Sequence, residues 1–301
     1  MNAPAGLVWR EFDQAGLDRQ YNSRGTVPDF TVYTRRYTEL TRAAKARLAC
    51  IENLHYGPGA DATLDLYPAA PTAGGPGTPV MVFFHGGDWR ALSKDDSGFA
   101  APAFVAAGVM FIAVNFSLVP ALSIPQMGAQ VRHALAWIAR NVAAHGGDAA
   151  RLHVAGHSSG ANLVGQLLAT DWVRDFDLPA DLVKGATFMS GLGDLEPVRR
   201  SFRNAHLKLD DAMVAAASLL HAAPGAACPL IVAFGEHEMP EYRRQGREVA
   251  AFWRARGRRA NVFELAGRNH FDAVLEWADP ASALLHANLA AIGLAAPAPG
   301  L

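Results

Sequence analysis

Gly156-His157-Ser158-Ser159-Gly160, a histidine at position 270 and a group of glutamates between them supply the residue types of nucleophilic acyl transfer. A serine hydroxyl is a weak nucleophile until an imidazole takes its proton, and a carboxylate must hold that imidazole in one orientation. The five-residue run is common as a bare pattern. Its setting is more specific: Arg151-Leu152-His153-Val154-Ala155 has the apolar character of a strand, and Ala161 to Leu168 that of a helix. Strand, glycine turn and helix in direct succession lift the Ser158 hydroxyl off a sheet, and the helix N-terminus behind it favours developing negative charge. The plain alternative is a Gly/Ser turn with no chemistry.

Five histidines follow Ser158. His206 and His221 lie in a long insertion, His286 within a helix, and His237 in the loop where the carboxylate is expected. His270, in Ala266-Gly267-Arg268-Asn269-His270-Phe271-Asp272, directly follows the last strand, where ligands collect in open α/β sheets. It is the candidate general base, against an ordinary surface histidine. The carboxylate is expected one strand earlier, in Gly235-Glu236-His237-Glu238-Met239-Pro240-Glu241. Glu238 is favoured because it falls a few residues past the strand and just before a helix. Glu236 is the second choice, and Glu241 falls in a first helical turn, where acids are ordinary complements of the dipole.

A third glycine-rich run, Phe83-Phe84-His85-Gly86-Gly87-Asp88-Trp89-Arg90, follows another apolar strand. The backbone N–H groups of Gly86 and Gly87, with that of Ser159, are candidates for an oxyanion hole. His85 is expected to fix this loop by hydrogen bonding. Trp89 either walls a pocket or packs in the core.

These groups need a scaffold, and the hydrophobic pattern supplies one. From position 80 onward, short apolar strands alternate with helices, which predicts a mostly parallel sheet covered on both faces. Strands are expected at 80–84, 109–114, 151–155, 186–189, 230–234 and 261–265. Helices are expected near 98–107, 126–144, 159–170, 241–256 and 280–292. Residues about 9–49 read as largely helical, with Phe30, Tyr33, Tyr37, Leu40 and Ala44 at helical spacing; a structural brace is the default reading over a lid. Two further strands, 49–56 and 63–67, suggest a hairpin, and the alternation in Leu64-Asp65-Leu66-Tyr67 suggests one solvated face. Residues 68–78 read as a surface connection, 191–226 as a small cap insertion with two helices, and the tail after Gly293 as loose. The whole chain is expected to form a single domain over 1–301.

With half of its 301 residues hydrophobic and 18% charged, the chain can bury a sizeable core. A net charge of −1 gives no electrostatic case for nucleic acid or an anionic membrane. The arginines at 243, 244, 247, 254, 256, 258 and 259 fit a solvated helix face and its end better than a nucleic-acid surface. No apolar run approaches a membrane span, and the N-terminus lacks the basic and apolar regions of a signal peptide. Cys50 and Cys228 form no metal or redox motif, and free thiols suit a reducing, cytoplasmic setting.

On these motifs the chain resembles the α/β-hydrolases, and within them the kynurenine formamidase (arylformamidase) and hormone-sensitive-lipase-like esterase group. The resemblance runs through Gln20-Tyr21-Asn22-Ser23-Arg24, Val27-Pro28-Asp29, Tyr56-Gly57, the His85-Gly86-Gly87-x-Trp89 loop, the Ser158 turn, the stretch from Gly235 to Gln245, and Asn269-His270-Phe271-Asp272. It implies the α/β-hydrolase fold, a Ser158, Glu238 and His270 triad, and hydrolysis of a small aryl formamide or ester with neither metal nor cofactor. A general carboxylesterase is the alternative, and a non-catalytic binding protein on the same fold a remote one. The expected partner is a small-molecule substrate, with homodimer formation left open. Three departures bear on substrate: a glutamate where aspartate is commoner in the family, Asp88 in the oxyanion loop, and Asn162 where formamidases often carry histidine. Asp88, Trp89 and Asn162 are the expected pocket residues. Asp88 is expected to point outward, to pair with Arg90, or to meet a cationic part of the substrate.

Overall fold

The computed structural model describes residues 6–70 and 77–294. The inner part of the 68–78 connection, and the tail except for Leu294, lie outside the described residues. Eight strands form one sheet: β1 (Ile51–His55), β2 (Thr63–Tyr67), β3 (Thr78–Phe84), β4 (Met110–Val114), β5 (Gly147–His157), β6 (Val183–Met189), β7 (Leu230–Gly235) and β8 (Ala260–Leu265). Their order is β1-β2-β4-β3-β5-β6-β7-β8. The pairs β1/β2 and β2/β4 are antiparallel, and every other neighbouring pair is parallel. The helices are α1 (Gln14–Gln20), α2 (Thr31–Arg47), α3 (Ala101–Ala106), α4 (Ile124–Asn141), α5 (Ser159–Leu168), α6 (Trp172–Phe176), α7 (Glu196–Arg200), α8 (Asn204–Leu207), α9 (Asp211–Ala217), α10 (Pro240–Arg254) and α11 (Ala283–Ala291).

Period-two alternation along fully buried strands divides the core into two layers. Val80, Val82 and Phe84 of β3 point into the layer closed by α1, α4, α5, α9 and α10. Met81 and Phe83 point into the layer closed by α2, α3 and α11, where Trp277 meets Phe83 edge-on at 5.5 Å. This is an α/β-hydrolase fold, with the loops that follow β3, β5, β6, β7 and β8 gathered at the carboxyl ends of the parallel strands.

Two expectations need correction. No face of β2 is solvated: Asp65 is fully buried, taking Lys45 Nζ at 2.7 Å, Lys94 Nζ at 3.1 Å and the Asn53 N–H at 3.0 Å. The alternation that looked like a wet face is a buried carboxylate under α2, and against the opposing effect of burial Asp65, with Glu52 and Asp95, holds the Lys45 ammonium above its usual range. The segment 191–226 holds three short α-helices, α7 to α9, and a 3₁₀ turn at Leu219–His221 where two helices were expected.

The arginines of α10 are largely engaged within the chain. Arg243 and Arg247 both pair with Glu264, and Arg244 with Glu241 and Glu248. No helix among the described residues is long and apolar enough to cross a membrane.

Candidate active site

β5 ends in a tight turn. Ser158 has φ 55° and ψ −120°, a region that non-glycine residues rarely occupy, and α5 begins at the next residue. The turn closes only because its glycines carry no side chain. A Cβ on Gly160 would stand 2.1 Å from the Phe84 carbonyl oxygen, and one on Gly156 2.4 Å from that of Gly160. These are backbone obstacles that cannot swing aside. Gly160→Ala is therefore expected to cost at least about 3 kcal/mol. At about 2–4 °C per kcal/mol this lowers Tm by roughly 6–12 °C, measured by thermal denaturation; an unchanged Tm would contradict this packing.

The hydroxyl raised by this turn meets the histidine loop. Ser158 Oγ lies 2.9 Å from His270 Nε2, and His270 Nδ1 lies 3.0 Å from Glu238 Oε2. A carboxylate only accepts, so Nδ1–H donates to Glu238 and the bare Nε2 accepts the Ser158 proton. Glu238 is held from its other side, where Oε1 accepts from the Gly235 N–H at 2.8 Å and from the Ser190 hydroxyl. Burial alone would push this carboxyl up, but the adjoining His270, Ser190 and Gly235 groups outweigh it and hold Glu238 below the usual carboxylate range. Glu236, the second choice, instead accepts from the Gly267 N–H at 2.8 Å and takes no part in this chain of bonds.

The imidazole is fixed by packing as well as by hydrogen bonds. Tyr242 lies 4.6 Å from its centroid and His157 5.0 Å. His157 Nε2–H donates to the His270 carbonyl at 2.9 Å, and burial, assisted by the neighbouring His270, depresses His157 to about 3, so its ring is neutral. The His270 loop is clamped from the N-terminal segment. Asn269 Nδ2 donates to the Tyr33 hydroxyl at 3.0 Å, Tyr33 stacks on Phe271 at 5.7 Å, and the Tyr37 hydroxyl donates to the Phe271 carbonyl. The loop also closes on itself: Asp272 Oδ1 accepts from the Asn269 N–H, and Asn269 Oδ1 from that of Phe271.

Facing Ser158 is the loop after β3. A Cβ on Gly86 would lie 3.2 Å from Ser158 Cβ, so the bare backbone abuts the turn. Gly87, Asp88 and Trp89 all have positive φ, and a Cβ on Gly87 would strike the Ala91 carbonyl oxygen at 2.0 Å. The Gly86 and Gly87 N–H groups donate to no protein acceptor among the described residues. Ser159 opens α5, where N–H groups lack intrahelical partners. His85 stacks on Phe116 at 4.3 Å and donates from Nδ1 to the Gly86 carbonyl at 2.8 Å; burial lowers it to about 4, leaving it a neutral brace for the loop.

Ser158 and His270 open into a cavity of about 260 Å³. Its wall includes Tyr21, Arg24, Phe30 and Tyr37 from the N-terminal segment, Phe202 and Arg203 from the 191–226 segment, and Asp88, Arg90 and Phe271. The N-terminal segment thus does more than brace the sheet. Two of the three expected pocket residues are elsewhere. Trp89 is 1% exposed in the core, and Asn162 is 1% exposed, its amide donating to the Leu192 and Ala217 carbonyls. Trp89 is turned inward by its positive φ, and Asn162 ties α5 to the 191–226 segment. Asp88 does line the cavity and pairs with Arg90 at 3.2 Å, as well as with Arg203 and His206. The roles of Ser190, Arg203 and the Tyr33–Tyr37 pair were not legible from motif spacing. Tyr33 and Tyr37, four residues apart on one helix face, were the nearest to a signal.

Fold and comparisons together make the chain a serine hydrolase of the α/β-hydrolase class. The BD-FAE family matches residues 64–181. The kynurenine formamidase of Danio rerio is 27% identical over 282 residues, covering 90% of this chain and 94% of that one. That of Salmo salar is 28% identical over 283 residues, with the same coverage. A Silicibacter sp. structure provisionally described as a thioesterase superposes with TM-score 0.76 at 25% identity, covering 89% of this chain and 97% of that one. An esterase from Pyrobaculum calidifontis shares the fold, with TM-score 0.68 and 20% identity over 94% of this chain and 98% of its own. Within its class, the chain is arylformamidase- and esterase-like.

Proposed function

We propose that the chain cleaves a small aryl formamide or ester through an acyl-enzyme on Ser158. The observation that carries this reading is the unbroken line of hydrogen bonds from Ser158 Oγ through His270 to Glu238, opening onto a cavity with aromatic walls. Ser158 attacks the carbonyl carbon as His270 Nε2 takes its proton. The oxyanion is held by the Gly86, Gly87 and Ser159 amides. The imidazolium then protonates the departing aryl amine or alcohol, leaving a formyl or acyl ester on Ser158. Water, deprotonated by the same imidazole, releases formate or the carboxylic acid and restores the serine. Glu238 stays ionised and supports the imidazolium at each step.

The 191–226 segment acts as a small cap within one domain, since it supplies Phe202 and Arg203 to the cavity wall. Cys50 and Cys228 are unpaired, which supports a cytoplasmic, reducing setting.

A carboxylesterase is the second reading, favoured by the same aromatic cavity. The two separate on a panel of aryl formamides, N-formylkynurenine among them, run beside short-chain p-nitrophenyl esters. Formate release with kcat/KM at least comparable to ester cleavage is expected. Efficient ester turnover with no formate from any formamide would overturn the formamidase reading and leave the esterase.

A further inference from the structure

Charged and aromatic groups beside the cavity converge on one side chain. Arg203, between α7 and α8, is charged at every accessible pH, and its side chain is only 6% exposed. Its Nη1 lies 3.2 Å from Asp88 Oδ1 but out of line for a hydrogen bond, and that oxygen is buried without any hydrogen-bond partner. The rings of Tyr21 and Tyr242 flank the guanidinium carbon at 5.8 and 5.9 Å. This guanidinium contributes a cation to the cavity wall, ion-paired with Asp88 and set beside the Tyr242 ring.

The charge balance of the wall is uneven. Arg24, Arg90 and Arg203 face the cavity against a single carboxylate, Asp88. Asp88 is already engaged: Arg90 Nε and His206 Nε2 approach Oδ2 at 3.2 and 3.1 Å, and Arg203 approaches Oδ1. Arg24 pairs with no carboxylate among the described residues and lies over the Phe30 ring at 4.6 Å. The cations on this wall outnumber its one carboxylate, and the planar guanidinium fork suits a further carboxylate above other anchors. A substrate ammonium, by contrast, would enter a wall that carries three guanidinium groups, where the one carboxylate, Asp88, is already ion-paired to two of them.

We propose that Arg203 is the anion anchor of this cavity, and that the preferred substrate is an aryl formamide bearing a carboxylate and no ammonium group. The inference rests on the formamidase reading and narrows its substrate class. The aromatic walls take the arene while Arg203 takes the carboxylate in paired hydrogen bonds, leaving the formyl carbon to Ser158.

Three probes on one skeleton test it by formate release: 4-(2-formamidophenyl)-4-oxobutanoate, its primary amide, and its 2-amino counterpart N-formylkynurenine. For the wild-type enzyme, kcat/KM on the monoanion is expected to exceed that on the neutral amide and on the zwitterion by at least tenfold each, carried mainly by KM. Arg203→Met should reduce the monoanion-to-amide ratio at least tenfold, and Arg203→Lys should restore part of it. The wild-type comparison needs no variant and so survives any folding defect at position 203. Equal turnover of monoanion and neutral amide overturns the anchor. Preference for N-formylkynurenine over the monoanion overturns the exclusion of ammonium. No formate from any of the three overturns the inference together with the formamidase reading, whereas turnover without charge discrimination overturns the inference alone.

Discussion

Ser158→Ala is expected to lower kcat for both formamides and esters by at least about a thousandfold, with a drop near a millionfold where background hydrolysis permits its measurement. The hydroxyl removed is the one within 2.9 Å of His270 Nε2. Ser159 cannot replace it, because its side chain belongs to the first turn of α5 and makes no hydrogen bond to His270. The substitution adds no atom to the turn, so the fold should survive and Tm should change little. Steady-state kinetics beside thermal denaturation separates lost chemistry from lost structure. A variant that keeps a tenth of wild-type activity would remove Ser158 from the mechanism.

Glu238→Gln has the next largest expected effect, a fall in kcat of roughly 10³–10⁴-fold. Oε1 of Glu238 receives two donors, the Gly235 N–H and the Ser190 hydroxyl. A glutamine must therefore keep its oxygen there and turn its NH₂ toward His270. Nδ1 then has to accept, the proton moves to Nε2, and the imidazole loses the site that accepts the Ser158 proton. Glu236→Gln is the control, since that carboxylate binds only the Gly267 N–H, and it should retain most activity. Equal losses in the two variants would contradict the assignment. The stability effect has a definite sign. Because the folded protein holds Glu238 below its ordinary value of 4.5, its ionised form stabilises the fold above that pH. The stability is lost as pH falls through the depressed value, so the Tm advantage of wild type over Glu238→Gln should shrink with acidification below about 4.5.

Much of this was legible in the sequence because the scaffold writes itself into local patterns. Apolar runs near six residues, broken by glycine and followed by helical periodicity, located β3 to β8 to within a few residues. The loops bearing Gly86, Ser158, Glu238 and His270 then followed from chain order. What stayed hidden depends on distant pairing. Asp65 alternates with leucines as a wet-face residue would, yet Lys45 and Lys94 arrive from elsewhere in the chain to bury it. Trp89 was ambiguous because left-handed backbone at positions 87–89, invisible to residue type, turns its ring into the core. Asn162 looked like a pocket residue by comparison with relatives, but its amide bonds inward to Leu192 and Ala217. Arg203 carries no motif, and its place beside Asp88, distant in sequence, arises only in the folded chain.

The most direct measurement is covalent labelling with a fluorophosphonate, followed by peptide mapping of the adduct. An activated serine beside an oxyanion hole reacts with this probe, and an ordinary hydroxyl does not. A single adduct on Ser158, formed in step with loss of hydrolytic activity and absent from Ser158→Ala, is the predicted result. No adduct, or an adduct on Ser159 or Ser190 with activity lost, would contradict it.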